Sequence, residues 1–145
     1  MINVIGGEKV PKLCQVVLDS TDARSLAEFY RSLLGLVYKP GHEPPEPGQA
    51  DERGHDWLVL RTTDGAPQLA FQQVDQVPSP TWPDGQVPQQ LHLDLSVASI
   101  EELEAQHDRV LALGGRLLSD QKDGPDEPFR VYADPAGHPF CIFVT

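Results

Sequence analysis

One order of elements occurs twice in this chain, and that repeat restricts the fold more than any other feature. Residues 12–19 are β-rich, Asp22 stands where it can cap a helix, and Leu26, Phe29, Tyr30, Leu33 and Leu34 recur at helical spacing until Gly35 ends the run. A short strand over 36–39 follows, then a loop over 40–56, then strands over 57–63 and 68–74 around the turn Thr63-Asp-Gly-Ala66. The order is βαβββ.

The second half starts with a strand at residues 91–97. Ser99 and Glu102 form a capping box, in which serine and glutamate satisfy each other's end of the first turn. Ile100, Leu103, His107, Val110 and Leu111 give the helical stripe, and Gly114 and Gly115 stop it. Strands over 116–119, 129–133 and 140–144 complete βαβββ again, the last two joined by Asp134-Pro-Ala-Gly137, a type I turn by composition. Superimposing Gln15 on His92 brings Asp22 onto Ser99 and Leu26 onto Leu103 at one offset of 77. The reading is therefore a single α+β domain over 1–145, with module one at 12–74, a Pro-rich aperiodic linker at 75–88 and module two at 89–145. Neither half closes its own apolar face, so each needs the other.

Charge narrows the partners. With 11 Lys+Arg against 22 Asp+Glu the formal net charge is -11, which repels phosphate backbones and anionic lipid, so neither nucleic acid nor a membrane is expected as partner. The N-terminal residues lack the charged start, apolar run and cleavage site of an export signal, and no stretch is long and apolar enough to span a bilayer. A cytoplasmic location is expected, with Cys14 and Cys141 reduced. No Gly-rich phosphate loop, nucleophile elbow or helical His-Glu-x-x-His occurs, so nucleotide hydrolysis, α/β-hydrolase chemistry and zincin proteolysis have no support.

Gln15-Val-Val-Leu-Asp19 with Asp22, Ser25-Leu-Ala-Glu-Phe-Tyr30 and Leu34-Gly-Leu36 resembles the opening of the glyoxalase/bleomycin-resistance/dioxygenase superfamily, also called vicinal oxygen chelate. Leu91-His-Leu-Asp-Leu95, Ala112-Leu-Gly-Gly115 and Asp134-Pro-Ala-Gly-His-Pro-Phe-Cys-Ile142 resemble its second module. The resemblance implies two βαβββ modules whose eight strands curve into an open cup around a small-molecule site, and a homodimer. Enzymatic members hold a divalent metal with one residue from the first and one from the last strand of each module. Carried over, the metal positions fall on Gln15, His92 and Cys141. In module one the last-strand position falls on Leu69 when Gly65 is matched to Gly137, or on Gln73 with the same strand parity. No carboxylate stands at either last-strand position, so hard cations are poorly served, while Zn, Fe, Mn or Ni remains the alternative to a metal-free cup.

Alternation puts His92, Asp94 and Ser96 on the cup face and Leu91, Leu93, Leu95 and Val97 under the helices. Asp94 is close enough to hold the imidazole. In module one the same parity puts Gln15, Val17 and Asp19 inward and Cys14, Val16 and Leu18 under the helix. Trp57, Phe71, Tyr132 and Phe143 lie on strands and are candidates for an aromatic pocket wall, and Gln73 is a further cup-lining candidate. Cys141 reads as a packed, inert thiol, and the loop over 40–56, with His42 and His55, as a mobile rim. His107 and His138 read as structural or solvated. The leading expectation is a glyoxalase-like protein that binds or transforms a small organic compound without a tightly bound metal. The alternatives are a metal-dependent lyase, isomerase or dioxygenase, and a protein that sequesters an antibiotic.

Overall fold

The structure is a computed structural model and describes residues 3–82 and 85–145. It opens with a hairpin that the sequence reading did not anticipate, β1 (Asn3–Ile5) and β2 (Glu8–Val10), turned by Gly6 and Gly7. Both glycines have positive φ, as a two-residue hairpin turn demands. The first βαβββ unit is β3 (Val16–Ser20), α1 (Ala23–Leu34), β4 (Val37–Tyr38), β5 (Trp57–Arg61) and β6 (Pro67–Gln73). The second is β7 (Leu93–Val97), α2 (Ile100–Ala112), β8 (Arg116–Gln121), β9 (Phe129–Ala133) and β10 (Pro139–Val144). Each unit makes a four-stranded sheet, ordered β3-β6-β5-β4 and β7-β10-β9-β8, with first and last strands parallel.

The duplication is visible in the ladders. Val16 faces Leu69 and Leu93 faces Phe140, so the first strands are related by 77 positions and the last strands by 71. Even the closing bonds repeat, Val74 N–H donating to Ser20 O and Thr145 N–H to Val97 O. Local chemistry sets the helix ends. Asp22 accepts from the Ser25 backbone N–H at 3.1 Å, and Gly35 closes α1 in the left-handed region at φ 66°. Ser99 accepts from the Glu102 N–H at 3.2 Å, while the Glu102 carboxylate reaches one residue further back than a capping box requires and accepts from Ala98 N–H at 2.7 Å.

One core serves both units. Leu26, Phe29, Tyr30 and Leu33 of α1 pack with Leu18, Leu58, Leu60, Leu69 and Phe71 of the first sheet, and with Leu103, Val110, Tyr132, Phe140 and Ile142 of the second unit. Tyr30 stands at the junction. Its ring stacks on Phe71 at 6.0 Å and meets Phe140 edge-on at 6.2 Å, and its hydroxyl donates to Asp134 Oδ2 at 2.7 Å. Asp134 also accepts from the N–H groups of Ala136 and His138, which folds the turn expected at 134–137. Across the helices, Arg109 of α2 donates to Ser32 O at 2.6 Å.

Two expectations change. Cys14 is exposed and not packed under the helix, because β3 begins only at Val16 and the chain before it has no strand neighbour to hold it down. The loop over 40–56 is anchored to the body of the fold. His42 is buried and accepts the Val59 N–H at Nδ1 (2.9 Å), and Arg24 clamps Asp51 with two bonds of 2.8 and 3.0 Å while donating to His42 O. Among the described residues no helix is long and apolar enough to cross a membrane.

Replacing Tyr30 by Phe keeps the ring contacts and leaves the buried Asp134 one donor short. Urea unfolding should show a loss of about 1–3 kcal/mol; an unchanged midpoint would mean that this bond does not hold the units together.

Candidate functional site

Strand register determines which side chains share the face turned away from the helices. On the second sheet Asp94 lies opposite Cys141, and Cys141 opposite Val131; Ser96 lies opposite Phe143, and Phe143 opposite Phe129. The intervening residues Leu93, Leu95, Val97, Phe140 and Ile142 belong to the core. That alternation is what the sequence reading expected for β7, except that Leu91, ahead of the strand, is exposed. His92 also precedes β7, and its Nε2 lies 3.2 Å from Asp94 Oδ1. One ligating atom each from His92, Asp94 and Cys141 lies within 4.8 Å of the others.

Beside this group is a pocket of about 340 Å³ lined by Asp94, Asp126, Glu127, Phe129, Cys141 and Phe143. Three carboxylates and two phenyl rings line this open pocket, and among the described residues no Lys or Arg does. The half-buried Cys141 thiol is pushed up to about 11, first by burial and then by the charge of Asp94 and a hydrogen bond to it. A thiol held there is protonated at neutral pH and a poor nucleophile.

The first unit presents a different surface on the same scaffold. Val17 lies opposite Ala70 and Ala70 opposite Val59, while Asp19, Gln72 and Trp57 form the next row. Val17 and Ala70 are therefore the counterparts of Asp94 and Cys141, and Gln15 is the counterpart of His92. Counting from Gly65 points one residue short, to Leu69, because a bulge at Leu60/Arg61 leaves Gln68 as an extra residue on β6. Leu69, Phe71 and Gln73 consequently face the helix.

Three candidates move out of the cup for this reason or a similar one. Phe71 is fully buried against Tyr30. Gln73 ties down the start of α1, its Oε1 accepting from Ala23 N–H at 2.9 Å and its Nε2 donating to Thr21 O at 2.6 Å. Tyr132 is fully buried on the helix side, stacked on Phe140 at 5.4 Å, with its hydroxyl 2.9 Å from His107 Nδ1. Trp57 and Gln15 are half-buried, Trp57 on the cup face of the first sheet and Gln15 just before β3. His92, Asp94 and Cys141 are the candidates that the structure brings together.

Asp126, Glu127 and Phe129 are pocket residues that sequence reasoning missed. Alternation along β9 would have placed Phe129 with Val131 on the cup face; the two acids sit in a Gly- and Asp-rich segment that reads as solvated loop. A second pocket, of about 390 Å³, lies over β3 where the linker returns, with Val17, Asp19, Gln72 and His138 in its wall. The His138 Nε2 there is 2.6 Å from Asp19 O, which ties the module-two turn to module one.

The thiol assignment is directly measurable. Mass-spectrometric alkylation near neutral pH should label the exposed Cys14 well before Cys141, and the Cys141 rate should climb about tenfold per pH unit through the mildly alkaline range, still below its midpoint. Equal rates at neutral pH would contradict it.

A family model for the glyoxalase-like domain matches residues 15–143. No curated protein matches the chain. Among solved structures, a possible glyoxalase from Bacillus cereus is 17% identical, with 91% of this chain and 97% of that one covered at a TM-score of 0.61. A glyoxalase/bleomycin resistance protein/dioxygenase family enzyme from Burkholderia phytofirmans is 15% identical, covering 90% and 96% at a TM-score of 0.63. The fosfomycin resistance protein FosX from Listeria monocytogenes is 13% identical, covering 94% of each chain at a TM-score of 0.64. At these identities the structures speak to the fold, and they share it. With the two βαβββ units and the family match over nearly its whole length, the chain belongs to the glyoxalase-like domain family of the vicinal oxygen chelate superfamily.

Proposed function

We propose that this chain binds a small organic molecule bearing a cationic group in the half-cup of module two, and that binding there requires no tightly bound metal. The observation that carries this reading is the lining of the 340 Å³ pocket: Asp94, Asp126 and Glu127 supply negative charge, and Phe129 and Phe143 supply apolar faces that attract an organic cation. The formal net charge of -11 adds a field that draws cations toward it. Asp94 is the central contact, since it lies both in the pocket wall and beside His92. The His92–Asp94 pair supplies a proton donor or acceptor at the pocket edge, and through it binding would extend to chemistry. Cys141, with its thiol protonated, serves as wall.

The superfamily's divalent metal is a poor fit to these donors. The cup-face positions of module one that answer to Asp94 and Cys141 hold Val17 and Ala70, neither of which can ligate, and Gln15 adds only a neutral amide. One carboxylate, one imidazole and a thiol do not make the oxygen-rich shell that Mg²⁺ or Mn²⁺ requires. Sequestration of a cationic drug is the same binding reading without turnover.

The test is a calorimetric titration with N-methylquinolinium and its uncharged isostere methylnaphthalene. The cation should bind more tightly than the isostere, and Asp94→Asn should weaken the cation alone by about tenfold, or about 1.4 kcal/mol. Phe143→Ala should weaken both. No binding of the cation, or equal binding of the two probes, would overturn the reading.

A further inference from the structure

A histidine ring stands in for a strand residue where β4 leaves β5. The two strands pair over Val37–Arg61 and Tyr38–Leu60, which puts Lys39 opposite Val59. In an antiparallel pair of this kind the two residues exchange both backbone bonds. Lys39 N–H does donate to Val59 O at 2.9 Å, but Lys39 O is taken by His42 N–H at 2.9 Å as the chain turns away. Val59 N–H is passed instead to the His42 ring, whose Nδ1 accepts it at 2.9 Å in a residue only 5% exposed. A ring nitrogen that accepts an N–H carries no proton, so the bond exists only while Nδ1 is unprotonated.

The surroundings oppose a positive ring. Arg24 of α1 donates to the carbonyls of His42 and Glu43, Arg53 of the 3₁₀ turn Arg53–His55 and Lys39 after β4 add two more cations, and Glu43 is the carboxylate that opposes them. Tyr38 of β4 lies under the Arg24 guanidinium and donates to Glu28 of α1, while β5 presents the Val59 N–H. Burial first, then Arg53 and Lys39, hold the His42 ring below the ordinary histidine pKa. The other anchor of the loop answers to a different range of pH, because the bonds from Arg24 hold the Asp51 carboxyl below the ordinary carboxylate range.

We propose that His42 is an acid-released latch on the loop over 40–56: protonation turns Nδ1 from an acceptor into a donor facing the Val59 N–H, and residues 40–50 leave β5 while Asp51 stays clamped. A ring that is harder to protonate latched than free stabilises the closed loop fully above the ordinary histidine value of about 6.5. That stability is lost as the pH falls below this value, until the latched ring itself takes up the proton. The latch acts on the rim of module one, so it does not rest on the organic-cation reading of module two, and the two can fail separately.

The experiment follows amide hydrogen exchange of the full chain by NMR between about pH 7.5 and 5.5, each rate divided by its intrinsic value at that pH. Val131, buried on the central strand β9 of the other sheet, reports opening of the whole domain. Protection of Val59 relative to Val131 should fall about five- to tenfold over this range. His42→Asn, whose side-chain oxygen can accept the same N–H but does not titrate, should abolish the fall. In the unaltered chain the ¹⁵N shifts of the His42 ring should show an unprotonated Nδ1 at the upper pH and a midpoint below about 6.5. Should the variant fail to fold, the unaltered chain decides alone. A Val59/Val131 ratio that is flat with pH, the same fall in His42→Asn, or a ring midpoint at or above about 6.5 would each overturn the inference.

Discussion

The buried hydrogen bond from Tyr30 to Asp134 joins the two halves of this fold. Tyr30 belongs to the helix of the first unit and Asp134 to the last turn of the second, yet donor and acceptor are 2.7 Å apart in the interior. A carboxylate removed from water at that depth is costly unless it is supplied with donors, and burial raises its proton affinity even here. Tyr30 O–H, Ala136 N–H and His138 N–H supply them, and the same turn points His138 at the Asp19 carbonyl. The ring of Tyr30 meanwhile touches Phe71 of one sheet and Phe140 of the other. A duplicated chain is thereby made one body, and β10, which carries Cys141, is set in place behind Phe140.

The duplication repeats the backbone without repeating the chemistry. Ladders, helix N-caps and closing bonds recur at fixed offsets, but the cup-face pair Asp94 and Cys141 of one unit answers to Val17 and Ala70 of the other. A carboxylate, a thiol and an imidazole meet beside one sheet, and small apolar side chains stand at positions 17 and 70 of its twin. On the proposed reading, the ligand is recognised through module two. The site differs in that respect from a cup whose ligand is held evenly from both sides.

Most of the fold was legible because its signals are local. Asp22, Ser99 and Gly35 act within a turn of where they stand, and the stripe from Leu26 to Leu33 reports one buried helix face. The parity of β7 was equally readable: Asp94 stands on the face away from the core, with His92 just ahead of the strand and beside it. What escaped was register. A single extra residue, Gln68, turns Leu69, Phe71 and Gln73 to the helix side, and no composition signal marks that bulge. Tyr132 failed for a different reason: an aromatic on a strand looks the same from either face until its neighbours Phe140 and His107 are known. The hairpin at 3–10 was passed over although Gly6-Gly7 is a strong turn pair, and the loop over 40–56 looked free because its anchors, Arg24 and Val59, are distant in sequence.

The proposed recognition site is the module-two sheet at Asp94, between the rings of Phe129 and Phe143. A crystal structure of the full chain soaked with N-methylquinolinium tests it most directly. The quinolinium should lodge in the pocket of Asp94, Phe129 and Phe143 with its charged nitrogen beside the Asp94 carboxylate. Density for the probe over Val17 and Gln72, or none in either pocket, would contradict it.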